Sequence, residues 1–296
     1  MLKRKKEKVL LRGKILSILS LVLIAALLFT ACTNRGQQGE QQKATGTIIA
    51  AGSTAMQPLV EEAASQFMSK NPGIQVQVQG GGSGTGLKLV YDGTVQIGNS
   101  DVPAEEKLDK EKANELVAHK ICVVGFAVIA NPNVKVDNLT KSQLIDIFTG
   151  KITNWKDVGG DDQKIVVINR PAGSGTRATF TKYALDGKEE TQGVALTQDS
   201  SGTVKKAVSE TPGAISYIAL SYLDGSVKVM KLDGVEPTKE NIIEGKYPVW
   251  SYEYMYTKGE HTGIIKSFID YMKSDEVKHI IEKLGYIPIS EMKVSR

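Results

Sequence analysis

Ile74-Gln75-Val76-Gln77-Val78-Gln79-Gly80-Gly81-Gly82-Ser83-Gly84-Thr85-Gly86 is the stretch on which the fold reading turns. The strict apolar–polar alternation of residues 74–79 predicts a strand with one solvated face, and seven small residues then lead into a helical pattern from about Leu87. A strand that passes into a helix through a glycine-rich turn is the building unit of an α/β sheet. The same order recurs on both sides. Upstream, Thr47 to Ala51 is a short apolar strand and Gly52-Ser53-Thr54 a turn. Met56, Leu59, Val60, Ala63, Ala64 and Phe67 then repeat at helical spacing until Asn71-Pro72-Gly73. Downstream, the strand Val95 to Gly98 opens onto Asn99-Ser100-Asp101.

The second half repeats the theme. Ile121 to Ala130 is an apolar run suited to a strand that connects two lobes, followed by a helix at Lys141 to Phe148 and a loop from Gly150 to Gly160. Strand Ile165 to Ile168 opens onto Asn169-Arg170-Pro171-Ala172-Gly173-Ser174-Gly175-Thr176-Arg177, and a helix follows through about Ala184. Pro212 to Ile218 reads as a turn and strand, and Val227 to Leu232 as the strand that carries the chain back. The alternating aromatics Trp250, Tyr252, Tyr254 and Tyr256 read as one face of a packed strand. Two helices, about Gly263 to Met272 and Ser274 to Leu284, close the chain. Two α/β lobes joined by two crossings is the expected arrangement.

Gly-Ser-Gly-Thr occurs at 82–85 and again at 173–176, each time between a strand and a helix. A helix N-terminus carries unpaired N–H groups and about half a positive charge. Glycine lets that backbone approach a ligand and the hydroxyls add donors, so such a turn suits an anion. One turn alone is an ordinary helix cap; three, counting 52–54, with Arg170 beside one of them, point to binding. Other phosphate motifs fail by position. Gly86 is followed by Leu87-Lys88-Leu89 rather than the Lys-Ser/Thr of a P-loop, Leu87 stands where a dinucleotide fingerprint needs its third glycine, and Thr85 and Thr176 stand where a hydrolase elbow needs glycine. His119, His261 and His279 lie apart from these turns and read as surface or capping groups.

The chain has 296 residues, 41% hydrophobic and 24% charged, which excludes disorder and a polytopic membrane protein. Its formal charge of +4 would suggest an acidic partner such as nucleic acid. Seven basic residues and one acid fall within 1–31, however, and the remainder is −2. Those basic residues precede the apolar stretch Ile15 to Phe29, the order of a secretory signal. Leu28-Phe29-Thr30-Ala31-Cys32 resembles the lipobox of bacterial lipoproteins, with Phe29 where a smaller aliphatic is usual. The resemblance implies removal of a signal peptide at 1–31 and diacylation, including palmitate, at Cys32. Residues 32–45 are then a polar tether, and Cys122, inside an apolar run, reads as a buried free thiol.

Taken together, Ala51 to Thr54, Gly80 to Gly86, Ile97 to Asp101, Ile147-Phe148-Thr149-Gly150-Lys151-Ile152 with Asn154-Trp155, and Asn169 to Arg177 resemble the phosphate-binding lipoproteins of bacterial ABC importers, in family order from about residue 46 onward. The resemblance implies a type II periplasmic-binding-protein fold. Two α/β lobes, 46–122 with 235–296 and 123–234, are joined by a two-stranded hinge, with phosphate in the cleft. It places ligand contacts on Thr54 and the Ala55 N–H, Ser83, Asp101, Arg170, Ser174, Gly175 and Thr176; Ser53 shares the first turn and is added as a donor. The family pattern carries an acid two positions after the arginine, where this chain has Ala172, so the orientation of Arg170 stays open, as does any ligand contact by Arg177. The implied partners are inorganic phosphate, permease subunits of an ABC importer and the membrane through a lipid anchor on its extracytoplasmic face, with no nucleic acid, no cofactor, no metal and a monomeric state. No enzymatic step is expected. A receptor for sulfate or molybdate, and an exported phosphoester hydrolase, are the alternatives.

Asp101 is the informative residue of this set. A carboxylate repels a fully ionised oxyanion yet accepts a hydrogen bond from one that keeps a proton, as phosphate does near neutral pH and sulfate does not.

Overall fold

The fold is that of a computed structural model, which describes residues 44–191 and 196–296. The expected signal peptide, Cys32 and nearly all of the tether lie outside the described residues. Ala44 to Arg296 forms one compact unit.

Strand β1 (Gly46–Gly52) leads into helix α1 (Gln57–Lys70), and β2 (Ile74–Gln79) into α2 (Ser83–Tyr91). Next come β3 (Ile97–Ser100), the short α3 (Lys110–Ala113), the long β4 (Leu116–Ala130), β5 (Asn138–Leu139) and α4 (Lys141–Phe148). The second half contains β6 (Val166–Asn169), α5 (Gly175–Tyr183), β7 (Leu196–Thr197), α6 (Ser201–Glu210) and β8 (Ala214–Ala219). After β9 (Lys228–Val229), β10 (Lys231–Leu232) and α7 (Lys239–Ile243), β11 (Trp250–Lys258), α8 (Gly263–Met272) and α9 (Asp275–Lys283) complete the chain.

The main sheet runs β2-β1-β3-β11-β4-β8-β6-β7, with β9 also on β4. β1 is parallel to β2 and β3, and β6 is parallel to β8 and β7, whereas β11 and β4 run antiparallel to their neighbours. β4 spans both halves: Leu116 to Gly125 pairs with β11, and Phe126 to Ala130 pairs with β8. Its apolar run is therefore buried from Ile121 onward, as strands covered on both faces are. β1 and β3 run one way along the sheet and β6 and β7 the other, because β3, β11, β4 and β8 are successively antiparallel. The C-terminal ends of the two sets, which carry Ser53 and Asp101 on one side and Arg170 and Asp199 on the other, are where open α/β sheets place ligands.

Three local readings change. Helix α2 begins at Ser83, four residues before the apolar pattern starts, because its first turn is built of small residues that give no hydrophobic period. Residues 227–232 form two short strands rather than one; Met230, fully buried, separates β9 on β4 from β10 on β5. β11 stacks its aromatics as expected, with successive ring centroids 5.6, 6.3 and 5.6 Å apart. Its other face, Ser251, Glu253 and Met255, is buried too, since the strand lies inside the sheet. Trp155 pins its loop by donating Nε1–H to the Gly213 carbonyl at 2.9 Å.

Candidate functional site

At the end of β1 the chain must turn against β3, and only glycine fits: Gly52 has φ 137°, and a Cβ there would lie 2.2 Å from the Asn99 carbonyl oxygen. Ser53 N–H then donates to Asn99 O at 2.9 Å, while its hydroxyl oxygen accepts from Met56 N–H at 3.1 Å. The expected extra ligand donor is thus also the brace at the start of α1. Ala55 is fully buried and its carbonyl takes the Tyr286 hydroxyl at 2.6 Å. Ser83, in the first turn of α2, accepts from Asp101 N–H at 3.0 Å. Ser174 caps α5 by accepting from Arg177 N–H at 3.2 Å.

All the expected site residues come together, and the turns of the two halves touch directly. Gly84 N–H donates to Gly173 O at 2.9 Å, and Thr176 Oγ1–H donates to Asp101 Oδ2 at 2.8 Å. Arg170 Nη2 donates to Thr54 Oγ1 at 3.3 Å and to the Asp199 carbonyl at 3.1 Å. Thr54, Ser83, Asp101, Arg170, Ser174 and Thr176 are each at most 4% exposed. Within this buried seam Arg170 Nε and Nη1 and Asp101 Oδ1 have no hydrogen-bond partner among the described residues. Buried donors and acceptors of this kind are uncommon and costly, and they mark where a further polar group belongs. Burial pulls the Arg170 guanidinium below its ordinary range, against the opposing influence of Tyr217, Asp101, Tyr222 and Asp199.

The orientation of Arg170, open in the sequence because of Ala172, has a structural answer. Thr54 Oγ1 and Asp199 O hold one nitrogen, and Arg177 Nη1 donates to the Arg170 carbonyl at 3.0 Å. Arg177 faces away from the seam, towards Glu189 at 3.1 Å and Glu190 at 3.8 Å. These acids pair with Arg177, and among the described residues none forms an ion pair with Arg170 in place of the acid absent at position 172. Glu190 also accepts from Tyr217 Oη–H at 2.6 Å.

Burial, only partly opposed by Tyr217 and Arg177, raises the Glu190 carboxyl from 4.5 to about 7. The folded chain then holds a proton that the unfolded chain has released, so stability falls as pH rises from the ordinary carboxylate range to about 7. The loss from this group is on the order of 3 kcal/mol. Urea unfolding at pH 5 and pH 8 is expected to show it, and Glu190→Gln to shrink it; an unchanged pH dependence in that variant would refute the assignment.

One group escaped the sequence reading. The first turn of α6 brings Ser201, fully buried, to the seam: its N–H donates to Thr54 Oγ1 at 3.3 Å and its hydroxyl lies 3.4 Å from the same atom. The signal was present as a third Ser-Gly-Thr, at 201–203, preceded by Ser200 instead of the glycine that marks the other two copies.

Residues 38–276 match the model of a PBP superfamily domain. Over 290 residues, 94% of this chain and 96% of the other, the sequence is 51% identical to the phosphate-binding protein PstS of Bacillus subtilis strain 168. The chain belongs to the PstS phosphate-binding family. Among solved structures, a phosphate ABC transporter substrate-binding protein from Clostridium perfringens, with bound phosphate, superposes with a TM-score of 0.76 at 36% identity, covering 82% of this chain and all of that one. An ABC-type phosphate transport receptor from Vibrio cholerae gives 0.66 at 31% identity, over 82% of this chain and all of its own. The type II fold expected from the sequence is thus the fold of the PstS relatives. Among the described residues no helix is long and apolar enough to cross a membrane, and no group of three or more His, Cys, Asp or Glu side chains is arranged to hold a metal ion.

Proposed function

We propose that this chain captures inorganic phosphate in the seam between Thr54, Ser83 and Asp101 on one side and Arg170 to Thr176 on the other, and delivers it to the permease subunits of an ABC importer. One observation carries the reading: a buried guanidinium with two unpartnered nitrogens faces the same seam as a carboxylate with an unpartnered oxygen. The first matches the oxygens of a tetrahedral anion, and the second matches the proton that phosphate retains. Ser53, the Ala55 N–H, Ser174, Gly175 and Thr176 complete the donor set. The protein performs no chemistry on its ligand and needs no cofactor. It acts as a monomer, tethered through a lipidated Cys32 to the extracytoplasmic face of the cell membrane after loss of residues 1–31.

In this reading residues 46–122 with 235–296 form one lobe and 123–234 the other, and phosphate favours the closed arrangement because only there are its contacts complete. Gly175 supplies the test. It opens α5 against the opposite half, where a Cβ would fall 2.2 Å from Ser83 Oγ and 3.0 Å from Asp101 Cβ. Gly175→Ala is expected to hinder closure while leaving each half intact, at a cost of about 1–3 kcal/mol, or roughly 5- to 150-fold in phosphate affinity. Solution scattering should show phosphate compacting the wild type and compacting the variant only at higher concentration. Binding without compaction of the wild type would refute closure, and absence of phosphate binding would refute the function.

A further inference from the structure

Glu253 is fully buried in the middle of β11, between β3 and β4. Its strand neighbour two residues back, Ser251, donates its hydroxyl to the Asp101 carbonyl at 2.5 Å, and residues two apart on a strand share a face. Glu253 thus projects towards the floor of the seam. The β4–β11 register shifts between Glu253 and Tyr254, leaving Ile121 unpaired. Among the described residues, no N–H group and no hydroxyl donates to either Glu253 oxygen, and Asp101 Oδ1 is equally without a donor. Two adjacent buried carboxylates with no cation between them would repel strongly; one proton between them removes both deficits.

We propose that Glu253 is kept as a neutral carboxylic acid that donates its proton to Asp101, so that the pair meets the bound anion with one negative charge instead of two. Glu253 is a positioning residue, because it acts on phosphate through Asp101. An ionised Asp101 has acceptor directions for Thr176, for Glu253 and for a proton on the ligand. The inference rests on the phosphate reading above and deepens it: Glu253 sets which total number of protons the site and its ligand share.

The surroundings leave Glu253 as the group whose proton is in question. Burial first, then the negative charge of Asp101 and a hydrogen bond with it, push the Glu253 carboxyl well above its ordinary range. Facing it are Cys122, its partner across β4, and Tyr286, both pushed up by burial, and Tyr222, raised to about 12. These three stay neutral through the physiological range. Arg170, beyond Asp101, is the positive group of the seam.

The test is the pH profile of phosphate affinity in the wild type and in Glu253→Gln, whose amide is a donor at every pH. At pH 7 the variant should bind within about threefold of the wild type, and between pH 7 and 9.5 the wild type should weaken about tenfold more than the variant, as the second carboxyl ionises beside the anion. Superimposable profiles, or loss of binding at pH 7 by a folded variant, would overturn the proposal. Should the variant not fold, the wild type decides: labelled at the glutamate carboxyl carbon for NMR, it must show a second glutamate besides Glu190 that is still protonated at neutral pH. Its absence refutes the proposal. A wild type that binds no phosphate at any pH defeats the functional reading instead, and the carboxyl spectrum still judges Glu253.

Discussion

Arg170→Met is expected to lower phosphate affinity by about 2–5 kcal/mol, roughly 30- to 5,000-fold, because it removes the one charged donor of a desolvated site and leaves the anion buried without its partner. The same change should not destabilise the empty protein. Arg170 is 1% exposed, its Nε and Nη1 have no partner, and no carboxylate forms an ion pair with it among the described residues. A buried charge in that condition is a burden in the absence of ligand, and an apolar side chain of similar length relieves it. Arg170→Lys should lose most of the affinity as well, since an ammonium cannot hold Thr54 and Asp199 O with one nitrogen while offering two others to an oxyanion. Titration calorimetry measures the first effect and thermal unfolding without phosphate the second. Retention of near-wild-type affinity by Arg170→Met would remove Arg170 from the site.

Asp101→Asn addresses selectivity. In the wild type, an oxyanion with no proton gives the Asp101 carboxylate no hydrogen bond and faces its charge, a mismatch of several kcal/mol, so sulfate is expected to bind at least about a hundredfold more weakly than phosphate. Asparagine keeps an oxygen for Thr176 Oγ1–H, now 2.8 Å from Asp101 Oδ2, and turns an amide donor towards the ligand. Sulfate affinity should therefore rise and phosphate affinity fall, and the ratio between them should shrink by about 10- to 100-fold. Competition between the two anions in calorimetry reads the ratio directly. Tight sulfate binding by the unaltered protein would dispose of the proton-acceptor role of Asp101 and return the wider oxyanion reading to favour.

Much of this site was legible in the sequence because its donors sit where local chain geometry puts them, in the turns between strand and helix. Ser83, Ser174 and Thr176 announce themselves through repeated small-residue motifs, and Arg170 and Asp101 follow strands directly. Ser201 was overlooked because its turn lacks the leading glycine. Glu253 was hidden for a different reason: on an aromatic-rich strand the pattern shows which residues alternate, and says nothing of what lies across the sheet from them. Likewise the pairing of Glu189 and Glu190 with Arg177 arises only through tertiary folding. Long-range pairings such as Gly84 with Gly173 carry no signature in local periodicity, since each partner reads as an ordinary turn.

That Gly84–Gly173 bond also bears on time. With every expected ligand-facing side chain nearly inaccessible, an ion held in the seam has no route to solvent until the bond and its neighbours part. The dwell time of the ion is then the waiting time for the protein to open, and affinity differences among variants should appear mainly in departure rates, with arrival little changed. A membrane partner that pulled the two turns apart would set the pace of release without touching the ion.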